Sequence, residues 1–271
     1  MVAVDSALKL DRLQVYLHRL RLNPRGADLW IDDDGVVHGR VLDAEVSSSF
    51  EPIRAPDGQV VAAQALAQVL PFGGAGVGTG GEARAEPTPW KLFSRALSPD
   101  DLVAFDRRCR TVHTLNFFSS HPPPQDLFLR VHDRLLTAVA DLHGRAFKRV
   151  LDSLGIPTSR IVIELPPAAS AHPSLLAHVI ANYRLAGFQV AINPQSFAEA
   201  ERALALARID FVRLDVRRLQ AFDPGGHSPE QRAAALRALG TALLLYNVDD
   251  DDDVATARAV GARLVQGVPR A

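Results

Sequence analysis

Short apolar runs alternate with helix-patterned segments along most of this chain. Residues 187–215, GFQVAINPQSFAEAERALALARIDFVRLD, show the unit most plainly: the runs Gln189–Asn193 and Phe211–Asp215 flank a segment rich in Ala, Leu and Glu. A β-rich run, a helical pattern and a second β-rich run make a parallel βαβ unit. The unit recurs. Helical segments over 99–117, 135–154, 174–186, 197–207, 229–239 and 251–261 precede, in turn, LFLRV (127–131), IVIEL (161–165), QVAIN (189–193), FVRLD (211–215), ALLLYNV (242–248) and RLVQG (263–267). Upstream, SFEPI (49–53) and QVVAAQAL (59–66) form a strand pair around Pro56-Asp57-Gly58. Eight such runs, the last six each led by a helix, favour a (β/α)8 TIM-like barrel whose first two strands form a hairpin. The rival, an open doubly wound sheet, usually has fewer strands. In either architecture chemistry collects where parallel strands end.

Two further segments precede the barrel. Residues 5–22 pattern as an imperfect amphipathic helix that stops at Asn23-Pro24. LWIDDDGVVHGRV reads as a hairpin with its turn at Asp34-Gly35. The expected division is a helix and hairpin over 1–44, packed on a barrel domain over 45–271. Trp30 and Ile31 of the hairpin either pack on the barrel or await a partner. Residues 71–89, rich in Gly, Pro and Ala, are expected to be a mobile loop. Gly76, Gly78 and Gly81 match GxGxxG in form, but no β-run leads in and no helix opens out, so no dinucleotide cofactor is expected.

Composition narrows the partners more than the fold. A net charge of −1 gives no argument for a nucleic-acid polymer. Cys109 is the one cysteine, so there is neither a disulfide framework nor a thiolate metal cluster. It reads as a structural thiol, with a reactive one between arginines as the alternative. The chain start lacks a signal-peptide layout and no apolar run approaches membrane-spanning length, so no membrane association and a cytoplasmic location are expected. The histidines show no metal-ligand spacing, no GxSxG elbow is present, and the acidic run Asp249–Asp253 reads as a solvated helix start.

The strand ends carry a resemblance. FEPIRAPDGQVVAAQAL is similar to the opening of an EAL domain, the family of cyclic di-GMP phosphodiesterases, where a QPI-like strand precedes a Glu-Ala-Leu strand. LFLRVHDRLL resembles the family's Asn-bearing strand, IVIELPP its Glu-x-Thr-Glu strand, and GFQVAINPQS the strand that ends in paired aspartates. FVRLD is similar to the Lys-x-Asp strand, LLLYNVD to the Glu-Gly-Val-Glu strand, and RLVQG to the closing Gln-Gly. The matches run in order over 48–267. The resemblance implies an EAL-type barrel, metal-dependent phosphodiester hydrolysis and a homodimer as the assembly.

The residues that would perform that hydrolysis depart from the pattern. The family's metal-binding Glu aligns with Gln64, its phosphate-holding Arg with Gln68, and its Asn ligand with Arg130. Glu164 is kept, but the Thr-Glu pair after it is Pro166-Pro167, and the paired aspartates are Asn193 and Pro194. The Lys aligns with Arg213, its Asp partner is kept as Asp215, the catalytic-strand Glu aligns with Tyr246, the later Glu with Asp249, and Gln266 is kept. Mg²⁺ needs hard oxygen ligands, normally carboxylates among them. Here Glu164 and Asp215 stand beside Arg130 and Arg213, a formally neutral set with two cations that nothing deprotonates.

The site is therefore expected to be vestigial, with no catalytic residue, no metal and no cofactor. Glu164 pairing with Arg130 is the expected structural use of both, and Arg130 with Glu164 or Asp215 should form a buried cation–carboxylate cluster in place of the metal. Asn193-Pro194 also reads as a strand end, Tyr246 as a core aromatic and Gln266-Gly267 as a shape element. The expected function is a catalytically inactive EAL-like domain that regulates by binding another protein. The alternative is a cyclic di-GMP receptor without hydrolysis, with a residual phosphodiesterase third.

Overall fold

The computed structural model describes residues 12–41, 44–71, 98–120, 125–132, 143–167, 169, 172–219 and 226–267. The strands are β1 (Leu29–Ile31), β2 (Val37–Val41), β3 (Ala44–Arg54), β4 (Val60–Pro71), β5 (Asp126–Arg130), β6 (Ile161–Leu165), β7 (Gln189–Ile192), β8 (Phe211–Asp215), β9 (Ala242–Tyr246) and β10 (Leu264–Gln266). The helices are α1 (Pro99–Ser120), α2 (His143–Leu154), α3 (Pro173–Leu185), α4 (Phe197–Leu204), α5 (Pro229–Ala238) and α6 (Asp251–Ala259), with a further helical stretch over 12–20.

All ten strands join one sheet in the order β1-β2-β3-β10-β9-β8-β7-β6-β5-β4, and β3 also pairs with β4. That last pairing closes β3 to β10 into an eight-stranded barrel. Strands β4 through β10 pair in parallel and β3 runs antiparallel to β10. The fold is thus the expected barrel with a leading hairpin. At the hairpin turn, Ala55 N–H donates to Gln59 O at 2.8 Å and Gly58 takes φ +96°. A parallel strand covered on both faces needs an apolar run rather than an alternation. β6 meets that demand with every residue buried. Helix starts are chemically marked. Ser228 forms a capping box with Gln231, while Ser196 and Asp250 accept from the backbone N–H of the third residue of α4 and α6.

The chain divides into two compact units, 1–50 with 65–122 and 149–157, and 51–64 with 123–148 and 158–271. In the first unit β1 and β2 form the expected hairpin, with Gly35 at φ +83° in its turn. Trp30 is 2% exposed and stacks on His38, so this ring packs inside its unit and is not presented to a partner. Helix α1 lies against β2: the Asn116 side chain accepts from Val37 N–H and donates to Val37 O. Gly39 permits that approach, since a Cβ there would stand 2.9 Å from Val112 Cγ2. Cys109 sits in the core with Val41, Val46, Val69 and Phe105. Burial, helped by Asp106, pushes its thiol well above the ordinary range, which fits the structural reading and not the reactive one.

The second unit holds the barrel interior. Each of the eight strands contributes to one apolar cluster: Ile53, Ala62, Phe128, Val162, Ala191, Phe211, Ala242, Leu244 and Leu264. The segments expected as a mobile loop (71–89), as the start of the N-terminal helix (5–11) and as the start of the second barrel helix (135–142) lie, apart from residue 71, outside the described residues, as do Gly76, Gly78 and Gly81. Among the described residues, no helix is long and apolar enough to cross a membrane.

Candidate functional site at the carboxyl ends of the strands

Along a strand, residues two apart share a face. Two positions beyond the apolar cluster, the same inward faces carry Gln64 on β4, Arg130 on β5, Glu164 on β6, Asn193 just after β7, Arg213 on β8, Tyr246 on β9 and Gln266 on β10. Because β3 runs the other way, its matching residue lies two before Ile53, and that is Glu51. A polar layer thus rests directly on an apolar one.

Glu164 is its centre and has no exposed surface. Its Oε1 accepts from Arg130 Nε at 3.0 Å and from Asn193 Nδ2, and pairs with Arg130 Nη2 at 2.9 Å. Its Oε2 accepts from Gln64 Nε2 at 2.8 Å and from Arg213 Nη1. Arg213 Nη2 donates onward to the amide oxygens of Gln64 and Gln266. Gln266 Nε2 then donates at 2.8 Å both to Gln64 Oε1 and to Glu51 Oε2. Behind these, the Arg213 guanidinium lies 5.5 Å from the Tyr246 ring centre, and Tyr246 packs against the apolar cluster. Tyr246 is therefore a partly buried aromatic at the edge of the core, with a cation on its face.

Burial by itself would raise the Glu164 carboxyl. Arg213 first, then Arg130, then the Asn193 hydrogen bond outweigh it and hold the group below the usual carboxylate range. The cluster remains formally neutral, with Arg130 and Arg213 against Glu164 and Glu51. That differs from the expected charge set, in which Asp215 was the second carboxylate.

The expected pair of Arg130 and Glu164 forms, but its side chains are unequally buried. Arg130 keeps 45% of its side chain exposed while Arg213 keeps 4%, so Arg213 is the interior cation. Asp215 stands apart from Glu164. Its carboxylate accepts from Arg217 N–H at 3.0 Å, capping the 3-10 turn Val216–Arg218, and from Asn247 Nδ2 at 2.9 Å. Asn247 is left-handed at φ 59°, a conformation asparagine tolerates better than most residues. Asp249 pairs with Arg217 at 2.6 Å in an exposed position. Gln68 belongs to the first unit, where it lines a cavity of about 270 Å³ with Asp32, His38 and Glu45. Glu51 went unrecognised in the sequence. Its signal was the spacing from Ile53, on the strand whose direction reverses.

The resemblance implies a divalent metal here, and the residues present do not fit one. Both oxygens of Glu164 are already engaged by cationic or amide donors. Gln64 Oε1 accepts from Gln266 and Arg213, which leaves Asn193 Oδ1 as the buried oxygen of the cluster without a partner. An incoming dication would meet two guanidiniums across a single amide oxygen. Among the described residues, no group of three or more His, Cys, Asp or Glu side chains is placed to hold an ion.

Solved structures agree with the architecture. The chain is similar to a standalone EAL protein from Vibrio cholerae in a c-di-GMP-bound form, at 17% identity and TM-score 0.64, covering 83% of this chain and 91% of that one. It is similar to the Xanthomonas citri FimX EAL domain in complex with c-di-GMP, at 14% identity and TM-score 0.63, over 97% and 93% of the two chains. It is also similar to the Bacillus subtilis YkuI protein, which has an EAL domain and is in complex with substrate c-di-GMP and calcium, at 21% identity and TM-score 0.61. That match covers 82% of this chain but only 53% of the longer one. No family model and no curated protein matches the sequence. At these identities the likeness establishes architecture: the fold of this chain is the EAL-type barrel.

Proposed function

We propose that this chain is a degenerate, catalytically inactive EAL-type barrel that acts in regulation by binding. The observation that carries the reading is the closed shell around Glu164. Metal-assisted phosphodiester hydrolysis needs carboxylate lone pairs to hold the ion that activates water and neutralises phosphate charge. The carboxylate retained at this position gives its lone pairs to Arg130, Arg213, Gln64 and Asn193 instead. The test is incubation of the purified chain with cyclic di-GMP and Mg²⁺ or Mn²⁺, with products separated by chromatography. No linear dinucleotide should form; turnover that EDTA and Glu164→Gln both abolish would refute the reading.

Two kinds of binding fit an inactive barrel. In one, a protein partner docks on the barrel ends; Trp30 offers no support for docking through the hairpin, because its ring is buried. The other, a receptor for cyclic di-GMP without hydrolysis, is favoured by two observations. Solved structures of the same fold are complexes with c-di-GMP. The polar layer also ends in a half-exposed cation, Arg130. Isothermal titration with cyclic di-GMP separates the two: heat of binding supports the receptor, and its absence leaves the protein partner as the working reading.

A further inference from the structure

The two guanidiniums of the polar layer differ in what they have left to give. Arg213 is enclosed; Nη1 serves Glu164, while Nη2 serves Gln64 and Gln266. Its Nε is buried without a partner, in a side chain only 4% exposed. Arg130 is the reverse. A guanidinium carries five N–H groups; Nε and Nη2 each direct one to Glu164 Oε1, so three remain. Those three lie on a side chain 45% exposed, on the last residue of β5.

Position and orientation reinforce this. Ligands of barrels bind at the carboxyl ends of the strands, and Arg130 stands at such an end. Glu164 grips one edge of its guanidinium, which fixes the plane and reduces the rotamer freedom lost when a ligand binds. A planar cation held on one edge and open on the other is suited to two parallel hydrogen bonds to a phosphate. Among the described residues, Arg217 pairs with Asp249, while Asp215 accepts from Asn247 and caps its own turn.

We infer that Arg130 is an anion anchor: its free edge receives a phosphodiester of a cyclic dinucleotide directly, without a bridging metal ion, while Arg213 serves only to hold the layer. This rests on the receptor reading and adds to it which cation meets the ligand and what is not required. No bond is made or broken.

The experiment is titration of the full chain with cyclic di-GMP in EDTA and in excess Mg²⁺, at two ionic strengths, for the parent, Arg130→Gln and Arg130→Lys. The parent should bind equally in EDTA and Mg²⁺ and more weakly at high salt. Arg130→Gln should lose at least about tenfold in affinity, as expected when a charge-assisted hydrogen bond is removed. Its salt dependence should also flatten. Arg130→Lys should fall between them, since an ammonium keeps the charge without the fork. Melting curves of each variant show whether a loss reflects unfolding; a variant that melts like the parent and still loses affinity carries the inference. If the parent binds and Arg130→Gln binds equally well, the anchor is wrong and the receptor survives. Binding that EDTA abolishes overturns metal independence. If the parent does not bind at all, both the anchor and the receptor reading fall.

Discussion

The apolar and polar layers inside the barrel stand one pleat apart on the same strands, yet they answer to different rules. In the lower layer, Phe128 meets Phe211 edge to face at 5.3 Å and each neighbour contributes contact area without direction. Such a layer tolerates exchanges that conserve volume. In the upper layer Gln64, Arg130, Glu164, Asn193, Arg213 and Gln266 are bonded to one another, so removal of one leaves a donor or acceptor unmet. The lower layer fails by degrees, whereas the upper one fails by partners.

The largest expected effects come from opposite layers and separate by their coupling. Arg213→Ala should cost on the order of 3–5 kcal/mol, because Glu164 keeps only the half-exposed Arg130 as a cation. Phe128→Ala should cost a similar ~3–5 kcal/mol through the cavity it leaves. Urea unfolding measures both. The double variant Glu164→Leu, Arg213→Leu should be less destabilised than the sum of its singles, as paired charges removed together leave no orphan. Strict additivity there would mean the two side chains are independent.

Acid distinguishes the layers next. The folded value of Glu164 lies below its ordinary 4.5, so its contribution is fully present above that pH and is lost as pH falls through the lower folded value. The gap in unfolding midpoint between the parent and Glu164→Gln should therefore be wide at pH 7 and narrow on acidification below 4.5. The gap for Phe128→Ala should not change in that manner.

Smaller effects sharpen the gradient from interior to mouth. Arg130→Ala should cost only about 1 kcal/mol, because its charge is half in water and Glu164 retains Arg213. This is less than a fully buried pair would demand, and a loss as large as that of Arg213→Ala would reverse the assignment of interior cation. Tyr246→Leu should cost about 0.5–1 kcal/mol beyond its packing, for the cation–π contact with Arg213.

The barrel was legible because its physics is repetitive. A parallel strand buried on both faces must be an apolar run, and the bounds of IVIEL and FVRLD match β6 and β8 residue for residue. The early part of β3 was not. AEVSS is polar for a strand, and its place is held by side-chain bonds to distant residues: Ser48 to His113 and Asn116, and Ser47 to Val37 O. His113 is buried and lowered to about 4 by that burial, so it meets Ser48 as a neutral ring. No local pattern encodes such partners.

The site shows the same boundary. Spacing placed Arg213 and Asp215 on one strand face correctly, but a period of two gives the face and not the depth. Asp215 lies one step further toward solvent, where its own turn claims it. Glu51 was missed because the strand direction that brings it inward is a property of topology.

The polar layer also sets an order in time. Its bonds join residues 49 positions apart at Arg213 and Glu164, and 202 apart at Gln266 and Gln64. Long closures of this kind form late, since the chain must surrender much freedom before they reward it. Without β10, Arg213 loses one of its acceptors, Gln64 one of its donors, and Glu51 its amide. A chain released without its final strand would keep an open polar seam in an otherwise apolar interior. The layer is thus complete only when β10 is paired, because Gln266 joins Arg213, Gln64 and Glu51 at once.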